Sequence, residues 1–458
     1  MAYPDISEQS AADWACERNS PAAIATQPES NPLRSRKKRF GLPAALLASF
    51  LFLQLFDYHA LGMSTVTPDR IVFLIICAIF VSALRKGQAR SISMSGVEWS
   101  MLVFAVLCTV SYLISNPDGG TDRFKWLITL FNLIVCPFGT YLIAKNSRYD
   151  SVKILWLLRA IVCIGVYLAF TASFEHYRID ALVFPRYIVD PHVGIQFGRA
   201  RGPMVGSNPM GEWLVLVYLA ICLVLPFVGK MWKVLLQGLI LLVIIGIYFT
   251  LTRGAWISFG IVAVLTATIG GKFGRPSRAI AIVVLLAFFA GVGSKFSFGG
   301  DTLFSRRQNT IDYRLSNNET TFNMGMANFV TGVGYGKFGE NWQKYFGSKQ
   351  KELTKDLTDG NHNTYLGLFA DLGFPGVALY VTLFGFVLKE CIRLRRSLDR
   401  GQEFERNVAL SSIGLVAILL WEAMSGDMRF NPTLNTVTFL FAGLTASITV
   451  KAKRARSK

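Results

Sequence analysis

The chain has 458 residues, of which 52% are hydrophobic and 17% charged, with a formal net charge of +18. A soluble domain carries about 25% charge, so the composition excludes a single water-solvated globule. The positive sum does not define a nucleic-acid partner, because Lys and Arg concentrate in alternate short loops and at both ends of the chain.

Residues 1–39 are polar and rich in Ser, Ala and Pro, and end in the basic run Arg34 to Arg39. A signal peptide would place its basic cluster and apolar run first. The expectation is therefore a disordered cytoplasmic tail followed by a transmembrane region over 40–450 and a second basic tail over 451–458. Within 40–450, apolar runs such as Trp232 to Leu251 match the roughly 17–25 residues that span a bilayer core. The runs predict helices over 42–56, 66–84, 97–114, 124–144, 154–174, 210–228, 232–251, 255–270, 279–294, 364–388, 407–424 and 433–450. The fold class that follows is an all-α polytopic membrane protein with about twelve transmembrane helices.

Loop charge orients it. Arg85, Lys86 and Arg90, then Lys145, Arg148 and Lys153, then Lys230 and Lys233, fall in alternate loops. Lys272, Arg275 and Arg278, and the arginines from Arg393 to Arg406, continue the alternation. By the positive-inside rule both termini are cytoplasmic. Two long segments, about 175–209 and 295–363, are then periplasmic, and long connections in a compact protein are commonly functional. All four histidines fall on that side: His59, His176, His192 and His362. The seven cysteines lie at none of the positions assigned outside, and no structural disulfide is expected.

Arg253 sits in Leu251-Thr252-Arg253-Gly254-Ala255-Trp256, between two apolar helices on the outer side. The positive-inside bias disfavours it there, and a charge at a membrane interface is a functional candidate, with lipid snorkelling as the bland alternative. His362, in Gly360-Asn361-His362-Asn363-Thr364-Tyr365, precedes a helix. A neutral imidazole can take a proton from a hydroxyl, although His362 or Asn363 could merely cap the helix. Arg314 lies in the same outer segment, and Arg199 and Arg201 in the other, within Gly198-Arg199-Ala200-Arg201-Gly202-Pro203. Arginine binds phosphate through a planar fork of donors and keeps its charge. Several arginines from separate loops would suit a diphosphate, whereas any one alone is more simply a solvated loop charge. Asn363 and Tyr365 join Arg199 and Arg201 as substrate-binding candidates. Arg306 and Arg307 are read as solvated.

Gly332-Val333-Gly334-Tyr335-Gly336-Lys337 lacks the Lys-Ser/Thr end of a nucleotide loop and is read as a turn. Glu422, Asp427 and Arg429 are expected to pair with one another structurally. No metal-ligand spacing occurs, so neither metal nor cofactor is expected, and arginines would stabilise the charge that a metal ion handles elsewhere.

The runs "LTRGAW", "DYRLS", "GVGYGKFG" and "NHNTYLGLFADLGFPG", in that order, resemble the O-antigen ligase and O-antigen polymerase superfamily of bacterial membrane glycosyltransferases. The resemblance covers residues 200–385 by motif and nearly the whole chain by topology. It implies a metal-independent inverting transfer, on the periplasmic face of the inner membrane, of a glycan linked to undecaprenyl diphosphate. The acceptor is lipid A–core for a ligase, or another lipid-linked repeat of O-antigen or exopolysaccharide for a polymerase. The family's R-G-A arginine falls on Arg253, its loop arginine on Arg314 and its H-N histidine on His362. Arg201 resembles an arginine before a G-x-x-x-N-P turn. Asp371 stands where relatives often carry glutamate, and "NFVTGVG" lacks a proline common before the glycines. A polysaccharide transporter or lipid-glycan flippase is the competing class, weakened by the lack of an internal repeat.

Overall fold

A computed structural model describes residues 42–63, 66–115, 123–271, 273–275, 278–279, 301–346 and 361–456. The expected tail over 1–39 and most of the expected helix over 279–294 lie outside them. The described residues form helices and turns and contain no strand. In chain order the helices are α1 (Leu42–Leu53), α2 (Pro68–Arg85), α3 (Gly96–Ile114), α4 (Arg123–Leu130), α5 (Cys136–Asn146), α6 (Ser151–His176), α7 (Ser207–Val224), α8 (Lys230–Phe249), α9 (Arg253–Ile269), α10 (Asp301–Ala327), α11 (Thr364–Ser397), α12 (Glu403–Glu422) and α13 (Pro432–Arg456). A π-helical turn, Phe131–Val135, joins α4 to α5 in one continuous rod.

Eight rods among these residues are long and apolar enough to cross a membrane: α3, α4–α5, α6, α7, α8, α11, α12 and α13. α1 and α9 are apolar but short. α2 has the length, but Asp69, Arg70 and Arg85 lie within it. The expected twelve helices thus resolve into eight clear spans, three shorter or more charged helices, and one position outside the described residues. The segment expected to be a long outer loop contains a 27-residue helix, α10.

α7 and α13 are the enclosed helices. Every residue of α7 from Met210 to Val224 is buried, and α7 packs against α6, α8, α9 and α12. Apolar contact alone does not hold helices together in lipid, so close approach at small residues matters. At Gly211 an added Cβ would lie 2.3 Å from the Cβ of Ala255, which lets the first turn of α9 rest directly on α7.

The loops sort to two ends. At the upper end, where α11 begins, Asp57 N donates to Pro203 O (3.1 Å), Ala200 N to Phe249 O (3.0 Å) and Thr364 N to Ala423 O (2.8 Å). At the lower end, Arg90 donates to Ser447 O (2.9 Å), Arg148 to Gly87 O (3.2 Å) and Arg395 to Ile269 O (2.7 Å). Lys145 and Glu98 form a buried ion pair there. The basic connections therefore gather at the lower end.

α11 is broken near its start. Gly373 has φ 67° and ψ −169°, and Pro375 follows. Pro375 has no N–H to give the carbonyl of Asp371, and Phe374 N bonds instead to Phe329 O (2.8 Å). Two carbonyls are orphaned, and the glycine turn supplies both partners: Val333 N reaches Ala370 O (2.9 Å) and Gly334 N reaches Asp371 O (3.0 Å). The turn requires Gly332, Gly334 and Gly336 at positive φ. A Cβ at Gly332 would stand 2.2 Å from the carbonyl carbon of Asp371. The turn reading is right, and its partner is the helix break in "DLGFPG". Gly332→Ala is expected to cost about 1–3 kcal/mol through strain and the forced backbone shift. A melt of the detergent-solubilised protein should show it as a lowered midpoint, and an unchanged midpoint would mean that the turn does not bear on the break.

Candidate functional site

Arg253 is the first residue of α9, after the extended N-cap Thr252. The α8–α9 turn is tight, with Leu251 in the left-handed region at φ 49°. Arg253 is exposed and makes no hydrogen bond or ion pair with a described residue. The next residue, Gly254, lies against Glu422 of α12, whose carboxylate oxygen would be 2.7 Å from an added Cβ. Glu422 accepts from Ser258 of α9 (2.7 Å) and, at 3.5 Å, from Asn208. Asn208 also donates to Glu212 of α7 (2.9 Å), and Asn431 donates to the other oxygen of Glu212 (2.6 Å). Glu422 thus holds the start of α9, and Glu212 is linked to it through Asn208.

The segment carrying Arg199 docks on the same turn. Besides the Ala200–Phe249 bond, Ser207 Oγ lies 2.8 Å from Thr252 Oγ1. Arg199 is exposed, and its guanidinium is unbonded among the described residues. Arg201 differs. It is 1% exposed, and its guanidinium donates to the carbonyls of Ile188 (2.6 Å), Val193 (2.7 Å) and Asp190 (2.7 Å). Burial lowers its pKa, opposed by Glu175 and Asp190. Glu175 accepts from the backbone N–H of Arg201 (3.1 Å) and Gly202 (2.8 Å). In this arrangement Arg201 organises the loop and is not presented to a ligand.

The α11 N-terminus completes the upper end. Asn363 Oδ1 accepts from Tyr365 N (3.0 Å) and Leu366 N (3.1 Å), so Asn363 is the N-cap. Its Nδ2 donates to Met424 O (3.3 Å), and Tyr365 Oη donates to Leu420 O (3.0 Å). Both expected substrate contacts are thereby engaged in docking α11 onto α12. His362, half-buried, is relieved of the capping role.

α10 runs alongside the first part of α11 in the same sense: Phe322 and Phe329 contact Phe369, and Phe329 stacks on Phe374. From Gly325, packed on Phe369, back to Arg314 is about 16 Å of helix. Phe369 lies about 8 Å into α11, so Arg314 stands about 9 Å beyond the point at which α11 begins. Arg314 is exposed and has no described partner. Arg253, Arg199 and His362 thus lie at one end of the bundle, and Arg314 lies beyond the start of α11 on that same side.

The expected pairing among Glu422, Asp427 and Arg429 holds only in part. Arg429 bonds Asp427 through two nitrogens (2.8 and 2.6 Å) and Asp371 through the third (2.7 Å), while Glu422 turns to Ser258 and Asn208. Burial alone would lower the pKa of the Arg429 guanidinium, but Asp427 and Asp371 hold it well above the ordinary value. Asp371 also accepts from Gly336 N (2.9 Å), so this buried triad ties the broken helix, the glycine turn and the Met428–Phe430 turn together. Removing Arg429 would leave the two carboxylates without their cation, at a cost of about 3–5 kcal/mol. Sequence reading passed over Glu212, although an acid inside the apolar run of α7 was the available signal.

The apolar spans define a multi-pass membrane protein. Residues 238–381 match the model of the O-antigen ligase family, so this segment is similar to that family. The match runs from α8 into α11 and takes in Arg253, Arg314 and His362. No curated protein matches the chain significantly.

Proposed function

We propose that the protein transfers a glycan from undecaprenyl diphosphate to a carbohydrate acceptor on the periplasmic face of the bacterial inner membrane. The observation that carries the reading is the sorting of the arginines: Arg253, Arg199 and Arg314, on the same side as His362, have no described partner, while Arg201 and Arg429 are engaged in the framework. Breaking a sugar–diphosphate bond develops negative charge on the leaving group, and fixed guanidinium donors stabilise it. The first amides of α9 add to this field, since a helix N-terminus favours an anion. His362 accepts the proton of the attacking sugar hydroxyl, and inversion follows from direct attack opposite the diphosphate. The step needs no metal or cofactor. The charge at the lower end supports a cytoplasmic lower face.

The acceptor is lipid A–core for a ligase, or another lipid-linked repeat of O-antigen or exopolysaccharide for a polymerase. The surface glycan of a deletion strain tests this. Uncapped core with accumulated lipid-linked polymer identifies a ligase, single-repeat products identify a polymerase, and an unchanged glycan contradicts both. A transporter or flippase remains the competing class and predicts lipid-linked glycan trapped on the cytoplasmic side.

A further inference from the structure

The connection after α6 does not leave the membrane side of the protein directly. Tyr167, inside the α6 span, donates its hydroxyl to the carbonyl of Phe184 (2.7 Å). Tyr167 precedes the end of α6 by nine residues, about 13 Å of helix, and helical side chains lean back towards the N-terminus. The chain therefore turns back alongside α6 by about two turns. The tip, Ala181-Leu182-Val183-Phe184-Pro185, has no charged or polar side chain. Val183 is buried against Tyr187, Ile188 and Val205, whereas Leu182 and Phe184 point outwards, 59% and 68% exposed.

Part of the backbone of this hook is bonded within the protein. Leu182 N takes the carbonyl of Ile179 (3.0 Å), Val183 N that of Asp180 (3.2 Å) and Ile188 N that of Pro185 (3.2 Å). Arg186 closes the hook by donating to the carbonyls of Asp180 (2.5 Å) and Ala181 (3.3 Å). With Tyr167 on Phe184, the carbonyls of Ile179, Asp180, Ala181, Phe184 and Pro185 are bonded within the protein. Each such bond lowers the cost of placing the segment in lipid, where an unbonded carbonyl costs several kcal/mol. Asp180 and Arg186 flank the tip, as charged residues do at a headgroup boundary.

We propose that residues 179–186 form a membrane-inserted hook whose Leu182 and Phe184 side chains contact the acyl chains of the leaflet at the upper end. The occupant of this apolar surface is phospholipid. The hook fixes the height of the loop behind it, because Tyr187 donates to Pro203 O (2.8 Å) and accepts from Asp57 N (3.1 Å). Burial pushes the Tyr187 hydroxyl up to about 12, so it stays a donor.

The test is photocrosslinking of the full-length protein in vesicles of phosphatidylethanolamine and phosphatidylglycerol. The photoreactive p-benzoylphenylalanine is placed at Phe184, at Leu182 and, as the comparison, at Ile195, an exposed apolar position of the same loop outside the hook. Mass spectrometry of the labelled peptides should find phospholipid adducts at 184 and 182, several-fold above those at 195. Protein that retains its native melting profile and gives no more lipid adduct at 184 and 182 than at 195 would overturn the proposal. The readout is independent of glycan transfer, so its failure and the failure of the transfer reading are separable.

Discussion

Arg253→Lys is expected to lose transfer by about two to three orders of magnitude, the usual consequence of removing an oriented donor from a developing negative charge. Lysine keeps the charge but offers a point donor in place of a planar fork. Folding should be nearly unaffected, because the Arg253 side chain is exposed and bonds to no described residue. Surface changes of that kind stay within about 0.5 kcal/mol. Arg201→Lys supplies the contrast. It removes the fork that holds the carbonyls of Ile188, Asp190 and Val193 together, so its effect should fall on stability first. Transfer per folded molecule and the melting midpoint, measured for both variants, separate the two roles. Arg253→Lys with near-normal transfer would return Arg253 to a snorkelling side chain at the headgroups.

His362→Asn should reduce transfer by about 10²–10⁴-fold, the range for loss of a general base. Asparagine keeps a polar side chain of moderate size but cannot accept the proton. The structure sharpens this test, because the α11 cap is Asn363 and not its neighbour. Asn363→Ala should therefore cost about 1 kcal/mol of stability, with transfer per folded molecule largely preserved. The two variants are expected to fail in opposite assays. Full activity of His362→Asn, normalised to folded protein, would remove the base and leave the chemistry to the arginines.

What the sequence made legible follows from the physics of each signal. Apolar runs report lipid-compatible helices directly, so α3, α6, α8 and α12 stand within a few residues of their expected positions. An unpaired guanidinium is also legible in outline, because charge beside an apolar helix is conspicuous at Arg253. Whether an arginine is available is different. Arg199 and Arg201 are two residues apart in one motif, yet one is exposed and the other is caged by carbonyls from residues 188–193. That division depends on how the chain returns on itself, which spacing does not encode. The same holds for Asp371, whose partners Arg429 and Gly336 lie far away in sequence. "GVGYG" and "DLGFPG" read separately as a turn and a helix defect; only the fold shows that one satisfies the orphaned carbonyls of the other.

The most direct measurement is reconstitution. Purified protein in liposomes is given an undecaprenyl-diphosphate-linked glycan and a carbohydrate acceptor, and the lipid and glycan products are followed by mass spectrometry. The account predicts release of free undecaprenyl diphosphate in step with a new glycosidic linkage, lost in Arg253→Lys and in His362→Asn. Intact lipid-linked glycan that moves between leaflets with no bond broken would contradict it.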